Sequence, residues 1–318
     1  MTTTPDPATA AQAVFVEAPE HAGPDEAPEP QKQAKQKSHG QFADMWRRFR
    51  RNKLALAGLV VVAILIVIAL LQPFISPYDP YDQNLLNTLA PPGGDHLMGT
   101  DALGRDLFSG LLYGLRLALL VGLLTMLGAM ILGTTLGALA GFRGKIADAL
   151  VMRATDIFLA FPFLIGAILV VRTFGTGVFQ VIIALVILGW PTAARLMRGQ
   201  MLALREAEYV EAARSIGASD WRIVTRHILP NAIQPVFIYS FTSIGIAVVA
   251  MASLAYLGVG VPPDTPEWGR MINMGIEQVR VEGKDFLWMF PSGAICLTTL
   301  VFAFVADGLR DALDPKLR

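Results

Sequence analysis

Six stretches of this chain are nearly free of charge, and each is long enough to cross a bilayer, which takes about 20 mostly apolar residues in a helix. Residues 54–71, 117–142, 173–194, 228–263 and 286–306 contain no Asp, Glu, Lys or Arg, and residues 149–171 are interrupted only by Arg153 and Asp156. A helix of a soluble core is apolar along one stripe, whereas these are apolar all round. Composition agrees: 53% of the residues are hydrophobic and 16% are charged, against roughly 25% charged in a soluble domain. The expected fold is an all-α polytopic membrane protein with six transmembrane helices.

Lysine and arginine collect on the cytosolic side of a membrane. With the N-terminus inside, twenty of the 26 basic residues fall in the cytosol. Five (Arg105, Arg172, Arg270, Arg280 and Lys284) fall outside, and Arg116 lies near the mouth of the second span. Both termini are therefore expected to be cytosolic. The formal charge is zero, so no net field draws nucleic acid. The single cysteine, Cys296, excludes an intramolecular disulfide framework and a Cys-based zinc cluster.

Residues 1–40 are rich in Ala, Pro, Gln and Glu, too polar to offset their ordering entropy, and are expected to form a disordered cytosolic tail. Phe42, Met45, Trp46 and Phe49 make a helical stripe beside four arginines, which predicts an amphipathic interfacial helix over 41–53. The first transmembrane helix then covers 54–72 and an external loop 73–110. A five-helix core occupies 111–309, with a cytosolic loop at 199–230, and a cytosolic tail covers 310–318. In a second external loop, 260–285, Met271, Met274, Ile276 and Gln278 suit a short helix on the outer surface.

The cytosolic loop reads as helix, turn, helix. Residues 205–215 favour helix, and Val210, Ala213 and Ile216 share a side. Gly217 is placed for the left-handed turn that ends a helix. Ser219 or Asp220 can cap the next helix, in which Trp221, Val224 and Ile228 fall at i, i+3 and i+7, and Pro230 closes the segment. Such a hairpin either folds back on the membrane's own cytosolic surface or docks a soluble protein.

The segment EAARSIGASDWRIVTRHILP at 211–230 resembles the EAA loop of ATP-binding-cassette importer permeases: Glu-Ala-Ala, three residues, Gly, nine residues, an apolar residue, one more, then Leu-Pro. Glu211, Ala212, Ala213, Gly217, Leu229 and Pro230 match, while His227 replaces the apolar residue. HLMGTDALGRDLFSGLLYGLRLALLVG, DIFLAFPFLIGAI, GWPTAARLMRGQMLALRE, PPDTPEWGRMI and ADGLRDALDPKLR resemble the dipeptide and oligopeptide branch of that family, the C-type permease in particular. The likeness covers about residues 42–318.

That resemblance implies a type I importer permease in a bacterial cytoplasmic membrane, forming half of a path for di- or oligopeptides. A homologous second permease, two cytosolic ATPases carrying ATP and Mg, and an external solute-binding protein would be its partners. The coupling residues it implies are Glu211, Ala212, Ala213, Gly217, Ser219, Asp220, Trp221, Val224, Ile228 and Pro230. Nickel, glutathione or another small solute is the alternative cargo.

No phosphate-cradling G-x-x-x-x-G-K-[ST] loop, H-E-x-x-H or G-x-S-x-G is present, so the chain is expected to hold no catalytic residue, metal ligand or cofactor of its own. A secondary transporter would want acids or histidines near the midplane, and the spans offer almost none. Arg153 and Asp156, three apart on one helix, suit an intramembrane ion pair. Arg195 and Arg198 are expected at headgroups or on the ATPase side. Arg105, Asp106 and Trp268 are candidates for external contact or gating, with a loop-stabilising salt bridge the other reading of the first two. Gly133, Gly137 and Gly141 permit close helix contact.

Overall fold

The computed structural model describes residues 41–282 and 284–313; the expected tail over 1–40 and the last residues, 314–318, lie outside them. The described elements are helices: α1 (Gln41–Phe49), α2 (Lys53–Ile75), α3 (Leu107–Arg143), α4 (Lys145–Ala160), α5 (Phe163–Phe174), α6 (Val178–Arg205), α7 (Glu208–Ser215), α8 (Asp220–Ile223), α9 (Leu229–Tyr256), α10 (Trp268–Glu282) and α11 (Phe286–Leu313), with a π-helical turn, Val224–Ile228, between α8 and α9. Five continuous helical stretches are long and apolar enough to cross a membrane, and the bent pair α4–α5 makes a sixth if counted as one span.

The interfacial helix is shorter than 41–53, because Asn52 starts a new helix. Its side-chain oxygen accepts the Ala55 N–H at 3.1 Å, satisfying one donor that the first turn of α2 leaves open. Asn52 also donates to Asp311 Oδ2 at 3.0 Å, and Gly308 of α11 lets Ala55 and Phe49 pack against its bare backbone. The start of α2 and the end of α11 therefore lie on one side of the bundle.

The second span, α3, packs along α6 through Gly133, Gly137 and Gly141. A methyl group added at any of them would overlap Ala193, Ala194 or Met201. Without a water-driven force between helices in lipid, this close backbone approach is what dispersion can reward.

The third span is not one helix. α4 and α5 meet at 97°, since Pro162 has no N–H to donate and forces Phe161 out of the helical region, to φ −80° and ψ 134°. The fifth span starts earlier than expected: the helix runs unbroken from Asp220 to Tyr256. Pro230 does not end it, because the preceding turn widens, and Leu229 N–H bonds to Val224 O, five residues back. That spacing relieves the clash a proline ring makes with the carbonyl four residues before it.

On the far side, α10 is longer and deeper than a surface helix. Gly269 presses on the Ala252 carbonyl of α9 and Gly275 on Leu287 of α11.

Candidate functional site

The turn between α7 and α8 is built by backbone hydrogen bonds. Gly217 takes φ +81°, its N–H reaches Arg214 O at 3.0 Å, and Ala218 N–H reaches Ala213 O at 3.1 Å. These two bonds satisfy carbonyls left open at the end of α7. Ser219 takes the cap position of α8, but its hydroxyl makes no capping bond; Asp220, in the first turn, complements the helix dipole.

The hairpin has two apolar faces rather than one stripe. Val210, Ala213, Ile223 and Ile228 are buried with Met197 and Met201 of α6 and Ala232 and Val236 of α9. Ile216 is 85% exposed and Trp221 77% exposed. The expected Val210–Ala213–Ile216 side is therefore divided, because α7 ends at Ser215 and the glycine turn swings Ile216 away. The Trp221–Val224–Ile228 stripe is divided likewise: Ile228 is buried, Trp221 projects, and Val224 lies between them. Ile223, fully buried, was not expected; its separation of five from Ile228 is the π spacing, legible only once the nearby Pro230 is taken to stay within the helix. Glu211 and Ala212 are exposed on the outer face of α7.

Between this hairpin and α3 opens a cavity of about 1030 Å³. Leu139, Phe142, Val224 and Leu229 give it apolar walls, and Arg143, Arg205, Arg214, Glu206 and Asp220 rim it. Trp221 borders it as well.

The intramembrane pair is different from the expected one. Asp156 does not take Arg153; it pairs with Arg195 of α6, Nη2 to Oδ1, at 2.5 Å, and Arg153 is exposed. Arg198 binds Asp148 through both its Nε and its Nη2. Arg195 and Arg198 thus hold α4. A helix lying alongside offers a better-aimed arginine than a neighbour on the same helix surface.

On the opposite side, Arg105, Asp106 and Trp268 are all packed inside. Arg105 donates to Asp101 Oδ2 at 2.7 Å and to Asp264 O at 3.2 Å. Asp106 caps α3 by accepting Ser109 N–H and Oγ–H, each at 2.7 Å, and lies 2.9 Å from His96 Nδ1. Trp268 donates from Nε1 to Leu111 O at 3.0 Å, its ring lying over Gly114. These contacts staple the two loops to the bundle and leave none of the three on an open mouth. Next to Trp268, Glu267 is buried and accepts the Arg270 N–H at 3.1 Å. Burial pushes its carboxyl up to about 7, against the opposing pull of the Arg270 and Gly269 N–H groups and the Arg270 charge. Nothing in the sequence marked it beyond its place before α10.

With this geometry in view, the likenesses to known proteins are extensive. The family described as binding-protein-dependent transport system inner membrane component matches residues 133–318. The N-terminal TM domain of oligopeptide transport permease C matches 40–92. The chain is 42% identical over 280 residues to the glutathione transport system permease protein GsiD of Pectobacterium atrosepticum, covering 87% of this chain and 92% of that one. It is 40% identical over 284 residues to the oligopeptide transport system permease protein OppC of Bacillus subtilis, covering 89% and 92%. It is 36% identical over 302 residues to the dipeptide transport system permease protein DppC of Alkalihalophilus pseudofirmus, covering 94% and 99%. Among solved structures, an inward-facing MetNI methionine ABC transporter chain shares the fold, with a TM-score of 0.51 at 20% identity, over 64% of this chain and 97% of that one.

Proposed function

The chain belongs to the family of binding-protein-dependent transport system inner membrane components, and from that membership we propose how it works. It is the permease subunit of an ATP-binding-cassette importer for peptides, a multi-pass helical protein of the inner membrane. With a homologous second permease it forms the path. An external binding protein delivers the cargo, and two cytosolic ATPases, carrying ATP and Mg, supply the work. Both termini face the cytosol, and so does the hairpin.

The observation that carries this reading is the division of the hairpin. One face is rooted in α6 and α9, while Trp221 and Ile216 project unburied. A large aromatic left exposed at the tip of a capped, rigid turn is the kind of residue that anchors a partner's pocket. Because α8 continues into the fifth span, a push on Trp221 is delivered to that span without a joint. Glu211 and Asp220 place acids at the starts of short helices beside it.

Trp221→Ala is expected to weaken retention of the ATPase subunits by about 2 kcal/mol or more while leaving the purified permease as heat-stable as before. Ile223→Ala should instead cost the fold about 2–5 kcal/mol. Copurification together with thermal unfolding separates the two, and full retention with Trp221→Ala would place the docking surface elsewhere.

The similarity to a glutathione permease favours a second reading of the cargo, glutathione rather than dipeptides. Competition between the two in an uptake assay distinguishes them.

A further inference from the structure

The cavity between the hairpin and α3 is dry by construction. Three threonines line it, Thr134, Thr135 and Thr225, and each turns its hydroxyl back onto its own helix. Thr134 donates to Met130 O, Thr135 to Ile131 O at 2.7 Å and Thr225 to Trp221 O at 2.8 Å. Their methyl groups join Leu139, Phe142, Val224, Leu229 and Ile233 in the walls. A peptide brings N–H and C=O groups that must be paired when buried, and such walls suit it badly; a hydrocarbon chain brings none. The charges stay at the rim. Arg205 pairs with Glu206 at 3.1 Å, and its guanidinium lies beside Gly144, next to Arg143 in the chain. Arg143 and Arg214 make no ion pair among the described residues, which leaves two cations facing the carboxylate of Asp220.

The cavity also opens toward lipid. Leu123, Leu127, Ile131, Thr135 and Leu139 fall four apart on α3 and are all exposed, and the last two line the cavity. Helices that associate inside a bilayer meet through small residues, as α3 meets α6 through its glycines; a row of large side chains is a face for acyl chains instead. Residues 117–142 are free of charge, about 39 Å of helix. The hydrocarbon layer is about 30 Å thick, so Arg143 stands at headgroup depth with the α3 wall just inside it. We propose that this cavity binds one anionic phospholipid from the leaflet on the hairpin's side, its acyl chain against the walls and its phosphate at Arg143 and Arg214. Basic pockets between membrane helices hold anionic headgroups in this way, and about 1030 Å³ is ample for a small amphiphile. The lipid braces Val224 and Leu229, the two residues joined across the π turn. The α3 wall lies at acyl depth, out of a soluble ATPase's reach, and the row above it is too bulky for a second permease helix to pack closely.

The test uses the full chain, purified in detergent, offered phosphatidylglycerol or phosphatidylcholine with the same acyl chains, and weighed by native mass spectrometry. One phosphatidylglycerol should be retained per chain, in preference to phosphatidylcholine by between about fivefold and about thirtyfold, the worth of one or two arginines at an anionic headgroup. Arg143→Gln with Arg214→Gln, both at exposed positions, should erase that preference. Equal retention of the two lipids by the unaltered chain, or a preference that survives in the double variant, overturns the proposal. Ala138→Phe, which fills the cavity from α3, should lower retention of both lipids; should it fail to fold, the arginine pair still decides. If Ala138→Phe keeps its lipid and loses the ATPase subunits on copurification, the occupant is a protein and the proposal falls. A second measurement leaves the walls and rim arginines intact. In vesicles, phosphatidylglycerol brominated along its chains should quench the fluorescence of Trp221, read as the difference from Trp221→Phe, more than brominated phosphatidylcholine at equal mole fraction. Equal quenching would mean ordinary surrounding lipid and overturns the proposal as well.

Discussion

At the scale of single residues, Glu267 shows how position outweighs side-chain type. The carboxyl sits at the start of α10, accepting N–H bonds that favour its charged form, yet it is buried and its proton is held up to about 7. The desolvation penalty is the larger effect, as expected for a carboxylate removed from water. A folded-state value above the ordinary 4.5 means the native chain binds more protons than the unfolded one between those two pH values. The corresponding stability is complete below about pH 4.5, declines as pH rises through about 7, and is absent above that. It amounts to about 3 kcal/mol. Thermal unfolding of the purified permease should therefore shift down between pH 5 and 7.5, and Glu267→Gln should flatten the shift. A slope of equal size in that variant would assign the titration to another group.

At the scale of elements, glycine and proline decide how helices meet and where they stop. Gly137 allows α3 to reach the Ala194 carbonyl and Met197 on α6, so Gly137→Leu should overpack that contact by about 1–3 kcal/mol or more. Loss of the monodisperse peak in size-exclusion chromatography would show it, while the same substitution at Gly199, which has open space around it, should leave the peak intact. Pro162 and Pro230 each follow a large apolar residue in the sequence, yet one breaks a span and the other is absorbed. The difference is the residue before each: Phe161 is free to extend, whereas Leu229 is held helical by a bond to Val224.

At the scale of the whole molecule, the proposed function gives the bundle a docking side and a delivery side. The Asn52–Asp311 bond puts the start of α2 and the end of α11 together, and from the lysine and arginine bias we propose that this side faces the cytosol. In a Cys296→Ser background, Leu86→Cys, fully exposed in the first loop, should react in intact cells with a membrane-impermeant thiol reagent. Ile216→Cys at the hairpin tip should react only after the membrane is opened. The reverse pattern would invert the orientation.

The number of apolar spans, their order, and a glycine turn at 217 were legible in the residues themselves. The reason is that solvation by lipid and the φ angle of a turn depend on a residue and its near neighbours. Partner choice was not. Asp156 reads as a mate for Arg153 until α6 is laid beside α4. Trp268 reads as a loop aromatic until Gly114 is seen to leave room for its ring. The hairpin's stripe reads as one face until a π turn rotates Ile223 inward. Each of these depends on which helix lies alongside, a property of the packed bundle that no local stretch of sequence contains.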